Sequence, residues 1–471
     1  DRIAALADLL APSAPAFRHQ RLFSERDFEL YEEKGNYEEQ RITLEVRRQD
    51  ALAEVAANGG APAVFTFSST VQSPWRVGLA FGEIAGTDVD GVVLPSLLEA
   101  EQKHLVQLAS GFVWSRFSRL SWQWVDNFDV RSWTPSQVGQ FLAYLPFSSS
   151  TWDRSNRLLG ANEAMYWSKT TANPYETETG FDRAVDSLIQ YGRPNAALRC
   201  VGRMLHGEHP FNAALAVQAL LAALGSSESA HSIDAYETTE VIKALQADPN
   251  TNGDDLFRVE WAYLPLLDRH SGASPKHLWH RLATEPGFYC EVIRLVFRSK
   301  NEDLSSEDAT EDRKEIASNA YRLLSNWQTP PGYQSDGNYD STALNQWLDA
   351  VKAECTATGH YEIAMTMLGH SLIHVPADPD GLWIHRAAAS TLNQKDSADM
   401  RDGFRTELFN SRGVHGFTSG VAERSIATKY RAQADDVETA GFYRVATTLR
   451  ELADDYNRQA ERESTRSPFD D

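Results

Sequence analysis

Cysteine is scarce in this chain: Cys200, Cys290 and Cys355 stand far apart and none belongs to a CxxC pair. That spacing excludes a zinc ribbon and a dense disulfide framework, and fits thiols buried as small apolar groups in a reducing compartment. Long apolar runs are also missing. The longest, Phe211 to Leu224, contains Asn212 and Gln218 and is shorter than the roughly 18 residues a membrane span requires, so no membrane role is expected. Basic charge is in deficit, with 45 Lys and Arg against 66 Asp and Glu and a net charge of −21. No local block of Lys and Arg offsets it, so a phosphate backbone would be repelled and nucleic acid is not an expected partner. There is no GxxxxGK[ST] loop, no GxSxG elbow and no GxGxxG after a strand, hence no nucleotide site and no cofactor to name. The chain starts at Asp1 without Met and without a basic-then-apolar leader. The expectation is a cytoplasmic piece of a longer polypeptide, although processing would leave the same start.

What is present is core material with a helical period. The 471 residues are 42% hydrophobic, with 12 Trp and 21 Phe, and exceed what one core usually organises. Asn36 to Asn58 reads as a helix stopped by Gly59-Gly60, and Val64-Phe65-Thr66-Phe67 as a short β-like connector. Leu94 to Val125 is helical and aromatic, with Gly111 as its expected break. Thr134-Pro135-Ser136-Gln137 carries the hydroxyl, proline and amide of a helix start. Paired amphipathic segments follow, beginning with 181–191 and 195–205 around Gly192-Arg193-Pro194 and ending with a hairpin that turns at Gly441. The fold expected is all-α: an irregular α-solenoid of degenerate helix-hairpin repeats, TPR- or HEAT-like and roughly 30 to 45 residues long, with a C-terminal helical hairpin. The expected divisions are 1–130, an N-terminal helical region; 131–395, the repeat array; and 396–471, the hairpin and a frayed tail.

Each candidate for chemistry has a plainer alternative. His370 and His374 are four apart, on one helical face, and His385 offers a third metal ligand, but no Glu base intervenes and Pro376 ends the segment. Packing or capping roles are the simpler account. Asp248-Pro249-Asn250-Thr251-Asn252-Gly253 matches the first half of a calcium loop, yet the closing carboxylate should fall at Val259 and Glu260 comes one position late. An ordinary loop of Asx turns serves as well. Glu99, Glu101, Asp126 and Asp129 are read as solvated carboxylates. The most distinctive segment is Phe409 to Phe417, where Arg412, His415 and Phe417 are candidate ligand or partner contacts in a glycine-rich loop; the simpler account is that its glycines cap the preceding helix and let the chain reverse.

Three stretches carry a resemblance: Trp279 to Arg298, Leu372 to Trp383, and Phe409 to His415 with the hairpin after it, extended loosely by Val71 to Gly78. They resemble the C-terminal helical region of large bacterial multidomain proteins similar to signal-transduction NTPases of the STAND type. The resemblance implies a non-catalytic sensor or scaffold array that binds a protein partner or invader-derived ligand, with NTPase and effector parts elsewhere and a role in anti-phage defence. It transfers no functional residue. The alternative from the residues alone is an all-helical hydrolase whose carboxylates and His meet in a cleft near Trp122 and Trp124.

Overall fold

The computed structural model describes residues 12, 14–27, 35–207, 209–226, 235–267, 272–300, 311–334, 337–413 and 418–465. Among the described residues all regular structure is helical, and the only pairing of extended backbone is a single bridge between Tyr333 and Tyr339. No described helix is long and apolar enough to cross a membrane. The chain forms two compact units, Asp1–Ile233 and Asp234–Asp471.

The helices of seven or more residues in the first unit are α1 (Tyr37–Ala57), α2 (Gly60–Ser68), α3 (Pro74–Ile84), α4 (Lys103–Asp126), α5 (Pro135–Ala143), α6 (Ser149–Leu159), α7 (Phe181–Gln190), α8 (Pro194–His206) and α9 (Ala213–Leu224). Local sequence explains their ends. Asn36 caps α1 by accepting from the Glu38 amide, and Leu44, Ala51, Leu52 and Val55 form its buried stripe. At α5, Thr134 and Gln137 close the reciprocal capping box. The Val64 to Phe67 run is a helix, α2, instead of the β-like connector its residue types suggest. Val64 and Phe67 lie on one buried helical face, and that packing outweighs β propensity. Gly111 does not break α4; the interruption falls at Ser121, whose φ is 57°.

In the second unit are α10 (Ala235–Ala247), α11 (Gly253–Ala262), α12 (Lys276–Thr284), α13 (Pro286–Val296), α14 (Glu311–Ser325), α15 (Ser341–Thr358), α16 (Tyr361–Ser371), α17 (Arg386–Leu392), α18 (Ala398–Asn410), α19 (Val421–Thr439) and α20 (Tyr443–Thr465). One apolar cluster runs from Leu264 to Tyr456. The expected hairpin is α19 against α20, with Tyr430, Ala434, Val437, Val445, Leu449, Leu452 and Tyr456 buried along the seam. Each large apolar side chain in that seam contributes roughly 1.5–3 kcal/mol by leaving water.

A close crossing of two helices with a glycine on each occurs in both units among the described residues. A Cβ placed on Gly78 of α3 would lie 2.0 Å from the Leu108 carbonyl oxygen, and one on Gly111 of α4 would lie 2.0 Å from that of Trp75. In the second unit a Cβ on Gly369 of α16 would lie 2.1 Å from the Met400 oxygen, and one on Gly403 of α18 would lie 1.9 Å from that of Thr366. Glycine thus sets the backbone approach at both crossings. Each first helix is followed by a similar Asp-x-Asp-Gly sequence, Asp88 to Leu94 in one unit and Asp378 to Ile384 in the other, but the first is helical from Asp90 to Val93 and the second is a non-helical turn.

The single division at 233/234 differs from the expected boundaries near 130 and 395, and packing gives the reason. Trp124 and Phe128 meet Phe141 at 5.8 and 5.6 Å, carrying one aromatic cluster across the first boundary. The apolar cluster of the second unit joins Leu392 and Met400 across the other.

Candidate functional site

Most buried charge is spent on joining helices. Arg116, fully buried, donates from Nε and Nη2 to the two Asp90 carboxylate oxygens at 2.8 and 3.0 Å, and from Nη1 to the Ala85 carbonyl at 3.0 Å. The Trp124 indole donates to the same Asp90 at 2.9 Å. Trp122 instead lies under the Arg154 guanidinium, 4.1 Å from its ring centre, and Arg154 and Arg157 both hold Asp126. Asp129 pairs with Arg131, whose hydrogen bonds bring its carboxyl down to about 2. Lys169 directs its ammonium to Glu99, to the Ser136 hydroxyl at 2.8 Å and to the Ser136 carbonyl at 3.1 Å, so its three protons are committed as donors. Glu99, Asp126 and Asp129 therefore serve different partners, and Trp122 and Trp124 do not share one environment.

The histidines have separate duties. His370 Nδ1 stands 3.5 Å from Glu407, and burial holds its imidazole below the ordinary value. His374 lies in the 3-10 turn that follows α16. His385 caps α17, its Nδ1 accepting from the Ala387 amide at 3.2 Å. No group of three or more His, Cys, Asp or Glu side chains suited to a metal occurs among the described residues. The loop at 248–253 is a pair of Asx turns: Asp248 accepts from the Asn250 amide, and Asn252 caps α11 through the Asp254 and Asp255 amides. Glu260 faces away from it. Fully buried, its carboxylate accepts from the His277 and Leu278 amides at the start of α12 at 3.1 and 2.9 Å and from Gln246 at 2.6 Å. Burial outweighs these bonds and pushes Glu260 up to about 7.

Asp378, expected only as a turn residue, anchors the turn before α17. It accepts from the Asp380 and Arg386 amides at 3.1 and 2.8 Å. Burial would raise this carboxyl, but those bonds and the Arg386 guanidinium hold it low.

Among the described residues, a groove of about 640 Å³ lies between α18 and α20. Phe409 is 41% exposed in it, and Arg405, Arg458 and Arg462 line it with Asp402 and Asp455. Asp455 joins Arg405 to Arg458, and Arg405 also reaches Glu451 at 3.1 Å. The Phe409 ring lies 5.1 Å from that of Tyr456, whose hydroxyl donates to the Phe409 carbonyl at 3.2 Å. Of the candidate loop contacts, Arg412 is half-buried: it pairs with Glu423 and sits 5.9 Å over Tyr456. Burial would raise the Glu423 carboxyl, but its backbone hydrogen bond, Arg412 and Thr418 bring it down instead. His415 and Phe417 lie outside the described residues. Sequence reading singled out the adjoining segment Phe409 to Phe417, with Arg412, His415 and Phe417 as its contacts, and not the arginines of α18 and α20 that line the groove, which lie far apart in the chain. No family model matches this chain, and no curated protein and no solved structure matches it.

Proposed function

We propose that this chain is a non-catalytic helical sensor or scaffold module that binds a protein partner, or a protein ligand from an invader, for a larger cytoplasmic signalling NTPase of the STAND type. The supporting observation is the groove between α18 and α20. It offers an exposed aromatic ring beside three arginines and two aspartates, and exposed aromatics with Arg are the residue types that anchor protein interfaces. Arg405 and Arg458 share Asp455 and Arg405 also meets Glu451, so the groove sets both signs of charge beside the exposed ring, a mixed polar and aromatic surface that a protein partner could match.

Site-specific photocrosslinking in the native host tests this reading. A photoreactive phenylalanine analogue at Phe409 should capture a defined protein, and the same analogue at Tyr37, exposed on α1, should not. Adding Arg458→Glu should reduce capture at Phe409 by about tenfold, since the loss of a favourable interfacial charge costs on the order of 1.4 kcal/mol or more. Equal capture at both positions, or no capture while a small metabolite binds, would reject the proposal.

A further inference from the structure

The sequence separates Cys290 and Cys355 widely, yet α13 and α15 bring their sulfurs within 3.5 Å. Both thiols are free, and each residue is only 1% exposed. The surrounding packing fixes this approach. Next to Cys290, the Tyr289 ring meets those of Trp327 and Trp347 at 5.4 and 5.0 Å, and Trp347, on α15, donates to the Leu282 carbonyl at 3.1 Å. One turn beyond Cys290, Arg294 pairs with Glu354 across the same two helices at 2.6 Å, about a third exposed. The sulfur pair therefore lies just beneath a solvated ion pair, within reach of a small oxidant during local opening.

We propose that Cys290 and Cys355 are a redox-responsive pair that a peroxide converts to a disulfide, covalently joining α13 to α15. A sulfur separation of 3.5 Å must close to a bond of about 2.05 Å. Cys355 provides the attacking thiolate: its hydrogen bond with Cys290 lowers its pKa, whereas the same bond and burial raise that of Cys290. The Cys355 sulfur attacks one peroxide oxygen and the O–O bond breaks. The departing hydroxide takes the proton released by the Cys355 thiol and leaves as water, with Cys355 now a sulfenic acid. Cys290 sulfur then attacks the sulfenic sulfur; the S–O bond breaks, and the Cys290 proton leaves with the hydroxyl as a second water. Two electrons pass from the sulfurs to the peroxide. This proposal is independent of the partner-binding reading.

The native chain treated with hydrogen peroxide, then unfolded, alkylated and digested, provides the test. The expected result is one crosslinked peptide pair containing Cys290 and Cys355, with Cys200 recovered as the alkylated thiol. The melting temperature should rise by several degrees, with reversal by dithiothreitol, because the crosslink restricts the unfolded chain. Cys200→Ser should preserve this behaviour, and Cys290→Ser and Cys355→Ser should each abolish it. If a serine variant does not fold, wild-type peptide mapping still decides. Three alkylated thiols from the treated native chain, a link involving Cys200, or a link between molecules would overturn the proposal.

Discussion

Glu260 shows how one residue couples charge to folding. Its folded pKa of about 7 exceeds the 4.5 of an ordinary glutamate, chiefly through burial. The folded chain consequently holds this proton more tightly than the unfolded chain. The resulting stabilisation is complete below about pH 4.5 and fades as the pH rises through 7. Integrated over that window it amounts to about 3 kcal/mol. Glu260→Gln keeps an acceptor for the α12 amides without titrating, and should remove that slope. Urea unfolding of both proteins at pH 5 and pH 7 checks this: the stability difference between the two pH values should shrink in the variant. The position of Glu260 beside a calcium-like loop was legible in the sequence, but its orientation toward α12 was not, because the His277 and Leu278 amides come from a separate helix.

At the scale of the element, helix ends were largely legible and helix crossings were not. Thr134 and Gln137 act within one turn, so their capping box can be read locally. The glycines at the crossings act across helices. Replacing a helical Gly by Ala should help the helix by up to about 1 kcal/mol, but at Gly403 the new Cβ would meet the Thr366 carbonyl oxygen at 1.9 Å. Backbone must then move, and overpacking of this kind costs about 1–3 kcal/mol. Gly403→Ala should therefore destabilise on balance. Gly287 in α13 has open space where a Cβ would go, so Gly287→Ala should be neutral or stabilising by up to about 1 kcal/mol. Thermal unfolding of the two variants should show shifts of opposite sign, or a shift at Gly403 alone.

For the molecule as a whole, the two units carry separate contact networks divided between Ile233 and Asp234. Residues 1–233 and 234–471 expressed separately should each give a cooperative thermal transition, measured by circular dichroism. Fragments divided at 130 or 395 should lose cooperativity, since those cuts pass through the Trp124–Phe141 aromatic contact and the Leu392–Met400 cluster. Charge and period along the chain point to helices, but neither records which distant helices share a core.

The sequence by itself determined the all-helical class, because apolar spacing, caps and turn glycines act over one to four residues. It also located the C-terminal hairpin, whose seam repeats at helical intervals from Tyr430 to Tyr456. Tertiary structure alone decided that Arg405 and Arg458 converge on Asp455, that Arg412 pairs with Glu423, and that Cys290 meets Cys355. These contacts depend on the distances and rotations between helices, which are set by side-chain volume and by glycine at the closest backbone approaches.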